Sequence, residues 1–143
     1  MNESMPEDIL DILEQYSKEY HEDTVLDDFR LREVELKVPG IKGKWASYKA
    51  VNYAKLLKLK RHREELLDEG VEIIKNKRED DGNPVSLKGA EYILRKSTKF
   101  RELDHKISVL TLLCEYFDDS LKNIQSIGFD IKNLVDTIKM DEM

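Results

Sequence analysis

Apolar residues recur at alternating spacings of three and four through the last third of the chain. Twelve successive positions from Phe100 to Ile138 fit this spacing, and ten of them carry clearly apolar side chains. A repeat of about 3.5 residues that is sustained over this length is typical of coiled-coil packing. The pattern therefore predicts one long helix over residues 98–139, which Ser97 and Thr98 can cap at its N-terminus.

Gly128 lies inside this expected helix, beside Phe129. Glycine in a helix interior costs about 1 kcal/mol relative to alanine, so the alternative is a C-cap with a kink. The phase of the repeat is nevertheless the same before Gly128, at Ile124, and after it, at Ile131. We therefore expect one continuous helix, in which the glycine allows another backbone to approach closely.

The segments upstream also show helical spacing, and none shows strand-like alternation. The expected helices are 6–20, 27–37, 41–77 and 87–94, with a break near 21–24 and a loop at 78–86. Pro39 and Gly40 should end the second helix, because the residue before a proline is pushed out of the α conformation. The predicted fold class is all-α, a long antiparallel helical hairpin with short N-terminal helices.

The apolar stripe on the last helix is wider than one partner helix can cover. Val109 and Leu134 add apolar area beside the repeat, whereas the apolar face of 41–77 is interrupted by Asn52 and Arg63. We therefore expect the last helix to join copies of the chain into a homo-oligomer. The candidate oligomerisation residues are Phe117, Leu121, Ile124, Gly128, Phe129, Ile131, Val135 and Ile138.

Charge is strongly segregated along the chain, which carries a net charge of −6. Residues 1–40 carry twelve acids and four bases, 41–63 carry eight bases and no acid, and 64–81 carry eight acids and three bases. This division predicts an acidic N-terminal helical arm over 1–40 and a helical hairpin over 41–143. Three alternatives stay open for the arm: a solvated amphipathic helix, docking on a partner's basic surface, or folding onto 41–63 of a neighbouring copy.

The basic stretch 41–63 has the composition of a single-stranded nucleic-acid site. Such sites combine cations that follow the phosphodiester backbone with aromatic side chains on which bases stack. The candidate residues are Lys44, Trp45, Tyr48, Lys55, Lys58, Lys60, Arg61 and Arg63. The alternative is that the lysines are solvated and that Trp45 and Tyr48 belong to the core. The charges favour an anionic partner, because eight bases without an acid would otherwise repel one another.

Catalytic, metal and cofactor chemistry is poorly represented in the sequence. The three histidines are far apart, Cys114 falls at an apolar position of the repeat, and no glycine-rich phosphate loop is present. We therefore expect no enzymatic activity, no metal and no cofactor. The single cysteine, the lack of a membrane-spanning apolar run and the lack of a signal peptide predict a cytoplasmic protein without membrane contact.

Two stretches carry a resemblance to a known family. The first comprises Leu112–Leu113, Phe117, Leu121, Ile124 and the run IGFDIK from Ile127 to Lys132. The second is Lys44–Trp45, which opens the long helix after the expected break at Pro39. The spacing from this pair to the loop at 78–86 is similar to that of the family. Over about residues 25–140 the chain resembles the UvsY-type recombination mediator proteins of tailed phages.

The resemblance implies a non-enzymatic factor of DNA recombination, repair and replication, which acts in the host cytoplasm if a phage encodes it. Members of that family form ring-like homo-oligomers, bind single-stranded DNA and help a RecA-like recombinase displace single-strand-binding protein. One departure is that the family's DNA-contacting bases align with Leu67–Val71, which reads LDEGV here. The resemblance therefore implies that Lys55, Lys58, Lys60, Arg61 and Arg63 take over this contact. The main rival interpretation is a coiled-coil assembly or adaptor protein without nucleic-acid binding, and a weaker one is a regulator that binds duplex DNA.

Overall fold

The computed structural model describes residues 9–25 and 31–141, and these residues form helices joined by short turns. The helices are α1 (Ile9–Thr24), α2 (Leu31–Asp80), α3 (Leu87–Arg95) and α4 (Thr98–Asp141). Within this described part the chain contains no strand. The predicted all-α fold class is confirmed.

The first helix is longer at its C-terminal end than the sequence pattern suggested. The expected break at residues 21–24 is wrong, because α1 continues to Thr24, whose hydroxyl donates a hydrogen bond to the carbonyl oxygen of Tyr20 at 2.8 Å. The expected start of this helix at Pro6 lies outside the described residues.

Pro39 does not end a helix, and the predicted break at Pro39–Gly40 is wrong. Residues on both sides of it belong to the single helix α2. A proline inside a helix removes one backbone hydrogen bond and crowds the carbonyl four residues earlier, at a cost of about 3 kcal/mol that other contacts must offset. Packing helps to hold this part of α2 helical: Val38 lies against α4, where a Cβ atom on Gly128 would be 3.2 Å from the Val38 Cγ1 atom. The expected start of this helix at Asp27 lies outside the described residues.

The turn after α2 and the two helices that follow it agree with the prediction. Gly82 has a φ of 74°, a left-handed conformation that favours glycine. Ser86 caps α3 by accepting a hydrogen bond from the Gly89 backbone N–H at 3.0 Å. Ser97 accepts a bond from the Phe100 backbone N–H at 3.3 Å, which confirms the predicted cap of α4. The helix continues through Gly128, as expected.

Residues Tyr53–Thr111 form one of two compact units. Its core contains Val71 of α2, Ala90 and Leu94 of α3, and Phe100 of α4. The contact between α2 and α3 is close at Gly70, because a Cβ atom there would lie 2.8 Å from a methyl carbon of Leu94. This unit presents the C-terminal part of the basic stretch to solvent.

The other unit combines Met1–Asn52 with Leu112–Met143. Its described part is centred on aromatic rings from three helices. The Tyr16 ring of α1 meets the Phe117 ring of α4 edge to face, with centroids 4.8 Å apart, and Tyr20 meets Trp45 of α2 at 5.6 Å. Edge-to-face pairs stabilise a core beyond the area they bury. The aromatic cluster therefore packs the acidic helix α1 against α2 and α4.

Candidate nucleic-acid interface

The C-terminal part of the basic stretch is exposed on α2, within the unit of residues 53–111. Lys55, Lys58, Lys60 and Arg61 are all solvent-exposed. No ion pair joins these four side chains to any residue in the described part of the chain. Lys55 and Lys58 lie one turn apart on the same face of the helix. A polyanion therefore has access to four cations along this part of α2.

Arg63 differs from these cations because it is half-buried and paired. Its Nη1 atom donates to Asp104 Oδ1 of α4 at 2.7 Å. This ion pair joins α2 to α4 within the same unit. Arg63 therefore has a structural partner, and a phosphate would have to compete with Asp104 for it.

Trp45 does not reach the surface, which contradicts its expected role as a base-stacking residue. Its side chain is fully buried, and its Nε1 atom donates to Asp23 Oδ2 of α1 at 2.8 Å. Rings of Tyr16, Tyr20 and Phe117 surround it. No face of the indole is open to a base. Trp45 is therefore a core residue, as the alternative interpretation of the sequence has it.

Tyr48 and Lys44 contact the same acidic helix. The Tyr48 hydroxyl donates to Glu19 Oε2 at 2.6 Å, and Lys44 Nζ donates to Glu19 at 2.9 Å and also to Asp23. Glu19 and Asp23 lie one turn apart on α1, so one face of α1 covers both side chains. Helix α1 of the acidic arm thus packs on its own chain's basic stretch, whereas one of the three alternatives for the arm places this pairing between neighbouring copies.

Protonation in this network follows its hydrogen bonds. The bonds from Tyr48 and Lys44 lower the pKa of Glu19, and the bond to Glu19 raises the pKa of Tyr48. Burial by itself would lower the pKa of Lys44, but its bonds to Asp23 and Glu19 outweigh burial and raise it. At neutral pH the cluster therefore holds a charged Lys44 ammonium against the charged Glu19 carboxylate.

Lys49 is engaged as well, through an acid of α4. Its Nζ atom donates to Asp118 Oδ1 of α4 at 2.7 Å, and Lys122 contacts the same carboxylate at 3.2 Å. The bonds from Lys49 and then Lys122 lower the pKa of Asp118. The sequence gives no sign of this pairing, because Lys49 and Asp118 are 69 positions apart.

Half of the expected oligomerisation residues are buried inside one chain. Ile124, Ile131 and Val135 are buried, and Phe117 is completely buried in the aromatic cluster. Leu121 and Gly128 are half-buried, whereas Phe129 and Ile138 are exposed. The repeat on α4 therefore packs largely against the chain's own helices, and exposed apolar side chains lie beside it. Leu112 and Leu134 add exposed apolar area there.

Among the described residues, no group of histidine, cysteine, aspartate and glutamate side chains is arranged to hold a metal ion. Within the same part of the chain, no helix is long and apolar enough to cross a membrane. Cys114 is buried in α4.

Crystal structures of a phage recombination mediator protein resemble this chain. A crystal structure of the bacteriophage T4 recombination mediator protein UvsY (lattice type IV) has a TM-score of 0.73 and 17% identity, and the match covers 90% of this chain and 98% of that one. The lattice type II structure of the same protein gives a TM-score of 0.72 and 18% identity, with 92% and 98% covered. At these identities the likeness shows a shared fold.

Sequence comparison gives the family. No curated protein matches the chain. A family model described as "Recombination, repair and ssDNA binding protein UvsY" matches residues 19–142. Because this match spans most of the chain, the chain belongs to the UvsY family of recombination, repair and single-stranded-DNA-binding proteins.

Proposed function

We propose that this protein is a recombination mediator that binds single-stranded DNA without sequence preference as a homo-oligomer. It then helps a RecA-like recombinase to load onto DNA that is covered by single-strand-binding protein. The observation that carries the proposal is the set of exposed cations Lys55, Lys58, Lys60 and Arg61 in a chain of this family. Cations without protein partners gain most from phosphate contacts, because each contact releases counterions from the nucleic acid.

Each chain needs only modest affinity. Four cations on one helix offer a small contact area, and an assembly of several copies raises the affinity through effective concentration. A ring of such copies holds the strand at several points at once. This arrangement bends or wraps the strand and weakens the grip of single-strand-binding protein on it.

Binding is tested by titrating fluorescein-labelled oligo-dT at low salt and following its anisotropy. The triple change Lys58→Glu, Lys60→Glu and Arg61→Glu should weaken binding by more than about tenfold. A matched control reverses three exposed lysines elsewhere, Lys18, Lys37 and Lys139. The control should bind far better than the first variant, although both lose the same charge.

The outcomes separate the candidate functions. If the wild-type protein does not bind oligo-dT at low salt, the proposal is overturned and the adaptor interpretation is left. A preference for duplex would favour a regulator of double-stranded DNA. The loading step is tested separately, by the lag in the DNA-dependent ATPase of a RecA-like recombinase on strands covered by single-strand-binding protein. The wild type should shorten this lag, and the Lys58/Lys60/Arg61 variant should not.

A further inference from the structure

A second cationic surface lies on α3, in the same compact unit as the exposed cations of α2. Lys88, Tyr92 and Lys96 follow one another at intervals of four residues, so they form a ridge along one side of the helix. All three are solvent-exposed, and 65% of the Tyr92 side-chain surface is accessible. The Lys96 ammonium lies 5.3 Å from the centroid of the Tyr92 ring.

The charge around this ridge is as one-sided as that of the α2 stretch. Residues 92–101 contain Arg95, Lys96, Lys99 and Arg101 and no acid. Glu91 and Glu102 border this stretch, and the Arg95 guanidinium already binds the Glu91 carboxylate at 2.8 Å. The first turn of α4 also contains no acid, so nothing there offsets the positive end of the helix dipole.

The side of α3 next to the ridge has a different character. Leu87 and Glu91 line an open groove of about 250 Å³, and its other walls include Asp68, Glu72 and a single base, Lys75, of α2. One short helix thus separates an acidic groove from a basic ridge. A general solubilising surface would not need this separation.

We propose that the Lys88–Tyr92–Lys96 ridge is a second contact for single-stranded DNA, in which Tyr92 stacks on a base and the two lysines bind flanking phosphates. The inference rests on the proposed single-strand binding of this protein. An exposed aromatic ring accepts any base by stacking, since every base has a π-face. Each lysine lies about 6 Å from Tyr92 along the helix axis, close enough to reach the phosphates on either side of a stacked nucleotide.

The cation–π pair between Lys96 and Tyr92 does not explain the ridge by itself. Such an exposed pair contributes about 0.5–1 kcal/mol and needs neither Lys88 nor the cations at 95–101. In the complex, the Lys96 ammonium moves from the ring to a phosphate, and the base takes its place over the ring. Paired bases in a duplex cannot do this, so the contact selects single strands.

The test uses Tyr92→Trp as a stacking residue that is also a fluorescent reporter. The only other tryptophan, Trp45, is fully buried and gives a constant background. Oligo-dT should quench the added emission in Tyr92→Trp. The matched control is Leu87→Trp, because Leu87 is on the same helix and is 60% exposed but faces the acidic groove. Its emission should not respond.

Affinity supplies the second measurement. Tyr92→Leu should weaken oligo-dT binding by about fivefold or more, whereas Tyr92→Phe should bind like the wild type. Equal thermal midpoints of the three proteins would show that the fold is unchanged. Binding to a duplex should not depend on residue 92.

The outcomes distinguish this inference from the proposed function. If the wild type binds oligo-dT and needs Lys58, Lys60 and Arg61, but Tyr92→Leu binds normally and Tyr92→Trp is not quenched, the ridge is only a solvated surface. The inference then fails while the proposed function stands. If the wild type does not bind oligo-dT at all, both fail.

Discussion

At the scale of single residues, the basic stretch 41–63 divides into two parts with different partners. Lys44 and Lys49 are neutralised by carboxylates of α1 and α4, and Trp45 is sealed in the core. Lys58 and Arg61 have no such partner among the described residues. The stretch 41–63, which contains no acid, therefore has two roles. Its first part holds the N-terminal helix, and its last part is exposed to solvent.

Replacing Asp23 with alanine should destabilise the chain by about 1–2 kcal/mol, because it removes one partner of Lys44 and leaves the buried Trp45 N–H without an acceptor. Urea denaturation followed by circular dichroism measures this loss, and Trp45 emission should shift to longer wavelength as water reaches the ring. Asp11→Ala changes an exposed acid on the same helix and should alter stability by less than about 0.5 kcal/mol. Equal effects of the two changes would contradict the network.

The contribution of Glu19 should depend on pH. Its pKa in the folded chain is lowered below the ordinary value of 4.5 by bonds from Tyr48 and Lys44. A carboxylate of this kind stabilises the fold above its unfolded pKa and loses the contribution as pH falls through the folded pKa. The difference in unfolding free energy between wild type and Glu19→Gln should therefore be full above about pH 5 and shrink toward about pH 3.

Glu14→Gln is the control for this titration, since Glu14 is exposed on the same helix. Its difference from the wild type should stay small across the range. A Glu19→Gln difference that does not change with pH would mean that the carboxylate charge is not what Tyr48 and Lys44 recognise.

At the scale of elements, the sequence predicts a helix boundary correctly where a local pattern determines it. It does not do so where contacts with other helices determine it. Ser97, the turn at Gly82 and the phase of the repeat across Gly128 are local signals, and all three agree with the structure. Pro39 is also a local signal, but α2 continues through it.

The site could be predicted only in part, for the same reason. The spacing of Trp45 and Tyr48 shows an apolar face but not what covers it, and the covering residues Glu19 and Asp23 lie more than twenty positions away. The unpaired cations at 55–61 were recognisable from composition, whereas the ridge on α3 was not. It becomes visible only when a helix aligns Lys88, Tyr92 and Lys96 on one side.

Two glycines inside α2 should respond differently to replacement by alanine. A Cβ atom at Gly43 would meet nothing within 4 Å, so Gly43→Ala should stabilise the chain by about 0.5–1 kcal/mol through helix propensity. At Gly70 the same atom would lie 2.8 Å from a methyl carbon of the buried Leu94, which must then shift. Thermal melts of the two variants should show a higher midpoint for Gly43→Ala, and the reverse order would contradict the close contact of α2 with α3.

At the scale of the whole molecule, the sequence predicts that the repeat on α4 joins copies of the chain. One chain, however, already buries most of the repeat positions. Ile124 is buried within the chain, and a charge there should unfold the protein. Phe129 and Leu134 are exposed, so a charge at either position does not disrupt the core and would affect only a contact with another copy. The proposed assembly therefore depends on the outer side of α4.

Charges at Phe129 and Leu134 should dissociate the proposed oligomer while the chain stays folded. The double variant Phe129→Asp and Leu134→Asp should show the mass of one chain by light scattering and keep the helical circular dichroism of the wild type. Its oligo-dT affinity should fall by about a hundredfold or more, because each chain then binds alone. Ile73→Asp is the control, since Ile73 of α2 is 66% exposed and Phe129 is 68% exposed. It should keep the oligomeric mass. If the double variant also keeps that mass, copies meet through another surface, and the DNA-binding avidity arises there.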